Sequence, residues 1–474
     1  MKMKTMTKSA TTLLLAMLSL STAVRADEPP ATRPVPINLG RTTPGRPLSL
    51  AQALAAASRR NVQLNSLRLE VDRAEVQLSK AWSLLFPTAQ GSLQYMRADH
   101  PDEVEMGSTF PGAGSLVMRR QDDLSGTISV NLPLVRAQSW YAISLGRKGA
   151  ELARLNVEEA RQQLLLSAAQ SYHVALVSKA LVQLREEQVR SAAHHLLVAT
   201  RKHAAGSGLR LDVVRAETDL AQARQELLSA RLSLDTARDA LGVLTGVGGL
   251  PMPQEVAETP APRLDEDQLL LTSRQRLDLQ IGRANLELAR RQLRSSWSAL
   301  LPTLAAGWQA SFQITDPSDF GDQDKTRWSA MLNLSVPLLD IVSYHDIKLK
   351  KVELRQTELR LRDAEQNVGK AVRQARRDYL GAVSSVRIAR RQVELAAEGL
   401  GLSRTAYQAG AGSSLEVTDA RRTAASAETS LATKQLEARI AHLALLRATG
   451  EDFRRFIPER PAGARGPEIS AVGP

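Results

Sequence analysis

The chain has 474 residues, 43% of them hydrophobic and 24% charged, with a mean hydropathy of -0.22, which excludes a polytopic helical membrane protein and a disordered chain alike. Cysteine is absent, so disulfides, thiolate metal sites, cysteine nucleophiles and an acylated N-terminal cysteine are excluded. The formal net charge of +12 is spread along segments such as 283–294 and 348–362, interleaved with Glu and apolar positions, and reads as solvated helix faces rather than a nucleic-acid patch.

The N-terminus carries Lys2, Lys4 and Lys8, an apolar stretch around Leu13 to Leu20, and then Val24-Arg25-Ala26. This is the order of a secretory signal, with cleavage expected after Ala26. Residues 1–26 hold four of the basic charges and no acid, so the remainder carries +8. Beyond the signal no run of 18 apolar residues occurs, and no transmembrane helix is expected in the mature chain. Residues 27–47 form a Pro-rich lead-in without a core of its own.

An internal repeat follows. A shift of 215 residues aligns Leu64 with Leu279, Arg68 with Arg283, Ala74 with Ala289, Trp82-Ser83 with Trp297-Ser298 and Pro87-Thr88 with Pro302-Thr303. A shift of 204 aligns Pro133-Leu134 with Pro337-Leu338, Ala205-Gly206 with Ala409-Gly410, Leu211, Val213 and Ala216 with Leu415, Val417 and Ala420, and Thr245-Gly246 with Thr449-Gly450. The change of shift falls between Gln94 and Ser125, where the first half has the longer loop. The repeats are assigned to 48–246 and 265–450, joined by a linker at 247–264 and followed by a tail at 451–474.

Each half changes period twice. A helix ends before Pro87 or Pro302, because the residue preceding proline is pushed out of the α region. Alternation takes over: Trp308, Ala310, Phe312 and Ile314 against Gln309, Ser311 and Gln313; Trp328, Ala330, Leu332 and Leu334 against Ser329, Asn333 and Ser335; Ile128, Val130 and Leu132 against Thr127, Ser129 and Asn131; Leu93 and Tyr95 against Ser92 and Gln94. Strands of about 9 residues with one apolar and one polar face suit a membrane β-barrel. Pro133 and Pro337 are expected to close the sheet. Long helices should then run over roughly 139–204 and 343–407, about 100 Å each.

A strict 4-3 spacing from Val368 through Val372, Ala375, Tyr379, Ala382, Val386, Ala389, Val393, Ala396 and Leu400 to Tyr407 marks a supercoiled seam. Leu220, Ala223, Leu227, Ala230, Leu234, Ala237 and Leu241 repeat it in the first half. Turns bearing Gly206 and Gly208, and Gly410 and Gly412, join each long helix to an antiparallel partner. Four strands cannot close a barrel, and open edges in hydrocarbon leave unpaired backbone groups, so copies must pool strands. Two copies make only a filled barrel; three leave a polar lumen, which favours a homotrimer.

These features resemble the outer-membrane efflux protein family, the TolC-like channels, from about Leu48 to Thr449. The motifs are Trp-Ser-x-Leu-x-Pro-Thr before the first strand of each half, Val-Pro-Leu before the second long helix, and Ala-Gly-x-Gly-x-x-Leu-Glu-Val-x-x-Ala at the second tip. The resemblance implies a mainly α fold with a membrane β-barrel part: two tandem repeats per chain and a trimeric 12-stranded β-barrel in outer-membrane lipid, continued by a long periplasmic α-barrel. It also implies docking with a periplasmic adaptor and an inner-membrane pump to expel drugs, metals or proteins. The differing class is a periplasmic coiled-coil scaffold without transport.

In the family, acidic residues at the positions of Asp212, Glu416 and Asp419 line a periplasmic entrance, which makes these the gate candidates. Ser413 and Glu416 also form a capping-box sequence, so Glu416 has a second explanation and Asp419 does not. Tyr407 matches a position that holds helices closed, yet it equally continues the seam. A basic residue usual shortly after the tip glycine is replaced by Gly412, which puts the closing network in doubt. The hairpin tips at Gly206, Gly208, Gly410 and Gly412 are the expected adaptor-docking points. Trp82, Trp297, Trp308 and Trp328 fit interfacial belts or core packing. His194 and His195 should point to different helix faces, and no metal site, cofactor or catalytic grouping is expected. No Gly-x-x-x-x-Gly-Lys-Ser/Thr occurs, so transport energy must come from a partner.

Overall fold

The computed structural model describes residues 47–105, 115–119, 121–254, 264–314 and 326–457. The expected signal at 1–26, nearly all of the lead-in and most of the tail lie outside these residues. The first half runs β1 (Pro47–Leu48), α1 (Leu50–Arg60), α2 (Val62–Ser83), β2 (Thr88–Arg97), β3 (Asp102–Glu105), β4 (Ser115–Arg119), β5 (Asp122–Val135), α3 (Ala137–Ala204) and α4 (Arg210–Thr245). The second runs β6 (Met252–Pro253), α5 (Glu266–Ser273), α6 (Leu277–Trp297), β7 (Thr303–Gln313), β8 (Thr326–Ser335), α7 (Ile341–Gln408) and α8 (Ser414–Thr449).

Four strands form one antiparallel sheet in the order β2-β5-β7-β8. The two halves meet at β5 and β7, and β2 and β8 are the edges. Directly opposed residues share a face, and the register sorts them by polarity. Gln90, Ser129, Gln309 and Ser329 form one row, and Ser92, Thr127, Ser311 and Arg327 a second. Ala89, Val130, Trp308 and Ala330 form a row on the other face, as do Gly91, Ile128, Ala310 and Trp328.

Two expectations are corrected here. The strands are 10 to 14 residues long rather than about 9. Pro133 does not close the sheet, because β5 runs on to Val135 with a register shift between Pro133 and Val135. A bulge accommodates the missing N–H, so the strand bends instead of stopping. The long loop of the first half also carries the pair β3–β4, and the linker contributes β6, which pairs parallel to β1.

The helices α3 and α7 have 68 residues each, about 100 Å at 1.5 Å per residue. Their antiparallel partners α4 and α8 have 36. The 4-3 seam of α7 is buried or half-buried throughout, from Val368 through Val372, Ala375 and Ala389 to Tyr407. Leu220, Leu234, Ala237 and Leu241 of α4 are buried in the same way. Alanine at alternate seam positions lets the helices approach closely.

Away from the tips, α1, α3 and α8 enclose Leu54, Ala57, Leu165, Ala168, Ala169, Leu446 and Phe453. Nearby, Tyr172 is fully buried, and its hydroxyl lies 2.9 Å from the Leu48 carbonyl and 2.7 Å from that of Gln254. That contact anchors the small β1–β6 pair to α3.

Candidate functional site

The far ends of the long helices form two hairpin tips, α3–α4 and α7–α8. Each turn begins with a glycine in the left-handed region, Gly206 at φ 74° and Gly410 at φ 79°, a conformation that favours glycine over residues with a Cβ. Gly412 answers to close approach instead: a Cβ there would lie 3.1 Å from the Cβ of Ala406 and 3.2 Å from the Tyr407 nitrogen. Gly208 is similarly confined, by Lys202 and His203 at 3.0 Å.

The tips differ in how their second helix starts. At α8, the Ser413 hydroxyl accepts the Glu416 N–H at 3.2 Å and the Glu416 carboxylate accepts the Ser413 N–H at 3.4 Å. This reciprocal box satisfies two free donors. At α4 the N-cap is Leu209, which offers no side-chain bond and is 68% exposed. Leucine in place of a capping residue forgoes about 1 kcal/mol. Arg210 follows at the first helical position, where a cation opposes the helix dipole by roughly 0.3–1 kcal/mol.

Tyr407 is 6% exposed and sits among groups from three other helices. Lys202 of α3 places its Nζ 4.0 Å from the ring centroid and also donates to the Tyr407 carbonyl. The His195 ring lies 5.7 Å away, and its Nε2 is 3.3 Å from the Ser414 hydroxyl. Burial first, and then the charge of Asp212, push the Tyr407 hydroxyl pKa up, while Ser414 acts the other way. His195 is pushed down to about 4, by burial and then by Arg421 and Arg404, with Asp212 opposing.

The acidic candidates take different situations. Asp212 is half-buried and acts electrostatically on Tyr407 and His195. Glu416 is exposed and engaged in the capping box. Asp419 is exposed, and no basic side chain pairs with it among the described residues. Among those residues no three His, Asp or Glu side chains gather into a metal-holding group.

Among the contacts between the hairpins that escaped sequence reasoning, two involve a charged side chain buried or stacked against the other hairpin. Asp219 of α4 and Arg421 of α8, at 6% and 10% side-chain exposure, form a buried ion pair, with the Arg422 Nε 3.5 Å from the same carboxylate. Burial and Arg422 lower the Arg421 pKa to about 10. Lys202 is the other: it supplies a cation at Tyr407 from the opposite hairpin. The repeat alignment could signal neither, because it matches each tip to its counterpart and not to the helix it touches. Arg404 adds a bond to the Ser191 hydroxyl at 2.7 Å. Between the hairpins lies a cleft of about 380 Å³ lined by His194, His195, Arg404, Tyr407 and Arg421, among others. His195 is buried and His194 exposed, as their adjacent helix positions require.

The chain as a whole is similar to known proteins. Nodulation protein T of Rhizobium leguminosarum bv. trifolii is 25% identical over 344 residues, covering 70% of this chain and 73% of its own. The outer membrane protein TolC of Escherichia coli is 24% identical over 349 residues, with 69% of each chain covered. The crystal structure of the Campylobacter jejuni CmeC outer membrane channel superposes with a TM-score of 0.71 at 16% identity, over 86% of this chain and 88% of that one. Residues 53–247 and 270–451 match the family described as outer membrane efflux protein, which shows that the chain belongs to the outer membrane efflux protein family.

Proposed function

We propose that the protein is the outer-membrane exit channel of a tripartite efflux or type I secretion system, working as a homotrimer. One observation carries this reading: a four-stranded sheet with polar and apolar rows on opposite faces and two open edges, β2 and β8. Edge backbone groups in hydrocarbon cost several kcal/mol each when unpaired. Pairing β8 of one copy with β2 of the next removes every such edge when three copies close a ring of twelve strands. The Gln, Ser and Thr rows then face a lumen wide enough for solutes, and the rows with Trp308 and Trp328 face lipid.

Helix surfaces support the same association. Outside the buried seam, α4 leaves Leu211, Val214, Leu228 and Leu232 exposed by 42 to 61%, and α7 leaves Ile388, Leu395 and Leu402 exposed by 50 to 67%. The heptad spacing of these residues is that of a second seam awaiting a neighbouring helix. No helix among the described residues is long and apolar enough to cross a membrane.

In this assembly the tips form the periplasmic entrance. Threefold symmetry converts Asp212, Glu416 and Asp419 into rings of carboxylates that favour cations, and Tyr407 packs the helices in the closed arrangement. A periplasmic adaptor docks at the tips and an inner-membrane pump supplies energy, while solutes diffuse passively through the bore. The test is fractionation followed by planar-bilayer recording. A heat-modifiable trimer in outer membranes that conducts ions is expected; a soluble, non-conducting protein would instead fit a periplasmic coiled-coil scaffold.

A further inference from the structure

Where the sheet gives way to the helices, the two halves carry the same surface chemistry. At the shift of 215, Trp82 stands opposite Trp297 and Phe86 opposite Leu301; at the shift of 204, Trp140 stands opposite Tyr344 and Arg147 opposite Lys351. All eight side chains are exposed. In each half the cation lies over the indole. The Arg147 guanidinium carbon is 5.4 Å from the Trp82 ring centroid, and the Lys351 Nζ is 5.5 Å from that of Trp297. Each pair bridges two helices of its own half, α2 to α3 and α6 to α7.

Both pairs lie near the strands. Trp82 and Trp297 stand at the ends of the helices that lead into β2 and β7, and Arg147 and Lys351 lie about 15 Å along α3 and α7 from their starts at Ala137 and Ile341. Helical side chains lean towards the helix N-terminus, and α3 and α7 both begin at the sheet, so the two cations reach back towards the strands. Their chain neighbours are neutralised: Lys148 pairs with Glu151 and Glu287, and Lys350 with Glu353. Arg147 and Lys351 pair with no carboxylate among the described residues. An indole holds a cation by its face but accepts none of its N–H groups in a hydrogen bond with an oxygen. An exposed indole topped by an unpaired cation, beside Phe86 or Leu301 and Trp140 or Tyr344, suits a surface that is apolar at one level and anionic at the next. The edge of a phospholipid leaflet has that profile.

We propose that each pair, Trp82 with Arg147 and Trp297 with Lys351, is a binding site for the phosphate of an anionic phospholipid in the leaflet on the helix side of the sheet. The indole and its apolar neighbours meet the acyl and glycerol region. The cation meets the phosphate oxygens, Arg147 through paired N–H bonds and Lys351 as a point charge. A zwitterionic headgroup binds less well, because its own ammonium competes for the phosphate charge. This inference rests on the channel reading, which puts the sheet in a bilayer, and adds a class of lipid and the residues that hold it.

The test reconstitutes purified full-length protein in vesicles of equal parts phosphatidylglycerol and phosphatidylcholine, re-extracts it in mild detergent and counts the retained lipid by native mass spectrometry. Phosphatidylglycerol should be retained about fivefold over phosphatidylcholine, the effect of one cation at an anionic surface. Arg147→Gln/Lys351→Gln should remove that preference, and Arg147→Lys/Lys351→Arg, which keeps both charges, should preserve it. Equal retention of the two lipids, retention of neither, an unchanged preference in the Gln variant, its loss in the charge-keeping variant, or displacement of bound lipid by inorganic phosphate would each overturn the proposal. So would loss of the trimer in the Gln variant, which would assign the cations to a carboxylate of a neighbouring copy. Wild-type conductance in planar bilayers tests the channel reading separately: a conducting trimer without the lipid preference rejects the lipid sites alone.

Discussion

The first and second hairpin tips solve the same turn with opposite priorities. Both bend at a glycine with positive φ and both start a 36-residue helix. The second closes its helix start with the Ser413–Glu416 box, while the first leaves Leu209 and Arg210 without local support. The difference teaches that one turn geometry tolerates both a capped and an uncapped helix start. Contacts that bind one tip to the other, among them Asp219 with Arg421 and Lys202 with Tyr407, come from residues that the alignment of the halves does not pair.

The largest expected effect comes from breaking the buried pair between the tips. Arg421→Met strands the Asp219 carboxylate at low exposure with, among the described residues, Arg422 as its remaining ion-pair partner, and should cost roughly 3–5 kcal/mol in urea unfolding. The double variant Asp219→Leu/Arg421→Met should recover most of that loss, because removing both charges removes the desolvation cost. A double variant as damaged as the single one would show that the pair is not what joins the hairpins.

Acid should weaken the contact between the tips through His195. Its folded pKa of about 4 lies below its ordinary value of 6.5, so the unfolded chain takes up the proton first. Stability is therefore full above pH 6.5, declines as pH falls towards 4 and levels off below, by roughly 3 kcal/mol in total. His195→Gln should remove this share of the acid sensitivity in melts across that window and leave the share due to His173, which is also pushed down to about 4, mainly by burial.

Capping substitutions should move the two tips in opposite directions. Ser413→Ala loses the box and should destabilise by about 1 kcal/mol, and Leu209→Ser should stabilise by a similar amount. Hydrogen exchange of the first turns of α8 and α4 would report each change, and equal signs would show that the two helix starts do not differ in local support. The smallest effect is expected for Lys202→Met, where loss of the cation over the Tyr407 ring should cost about 0.5–1 kcal/mol, seen as faster exchange at the end of α7.

Much of the fold was legible in the sequence because its signals are periodic. The 4-3 spacing from Val368 to Tyr407 states which face of α7 is buried, and the alternation from Trp308 to Gln313 states which residues share a sheet face. Proline was a weaker guide: Pro133 suggested an end where the strand only bulges, since one missing N–H can be absorbed by a register shift. At the tips the glycines and the Ser413–Glu416 box were readable from local chemistry. The cation at Tyr407 was not, since Lys202 lies 205 residues away in the chain.

By itself, then, the sequence determined the helix seams, the strand faces and the turns, because each depends on residues within a few positions of one another. Only the tertiary structure decided which half meets which: β5 beside β7, Lys202 against Tyr407, and Asp219 with Arg421. Those contacts bring together residues far apart in the chain, where no period relates the partners and burial alone makes the pairing matter.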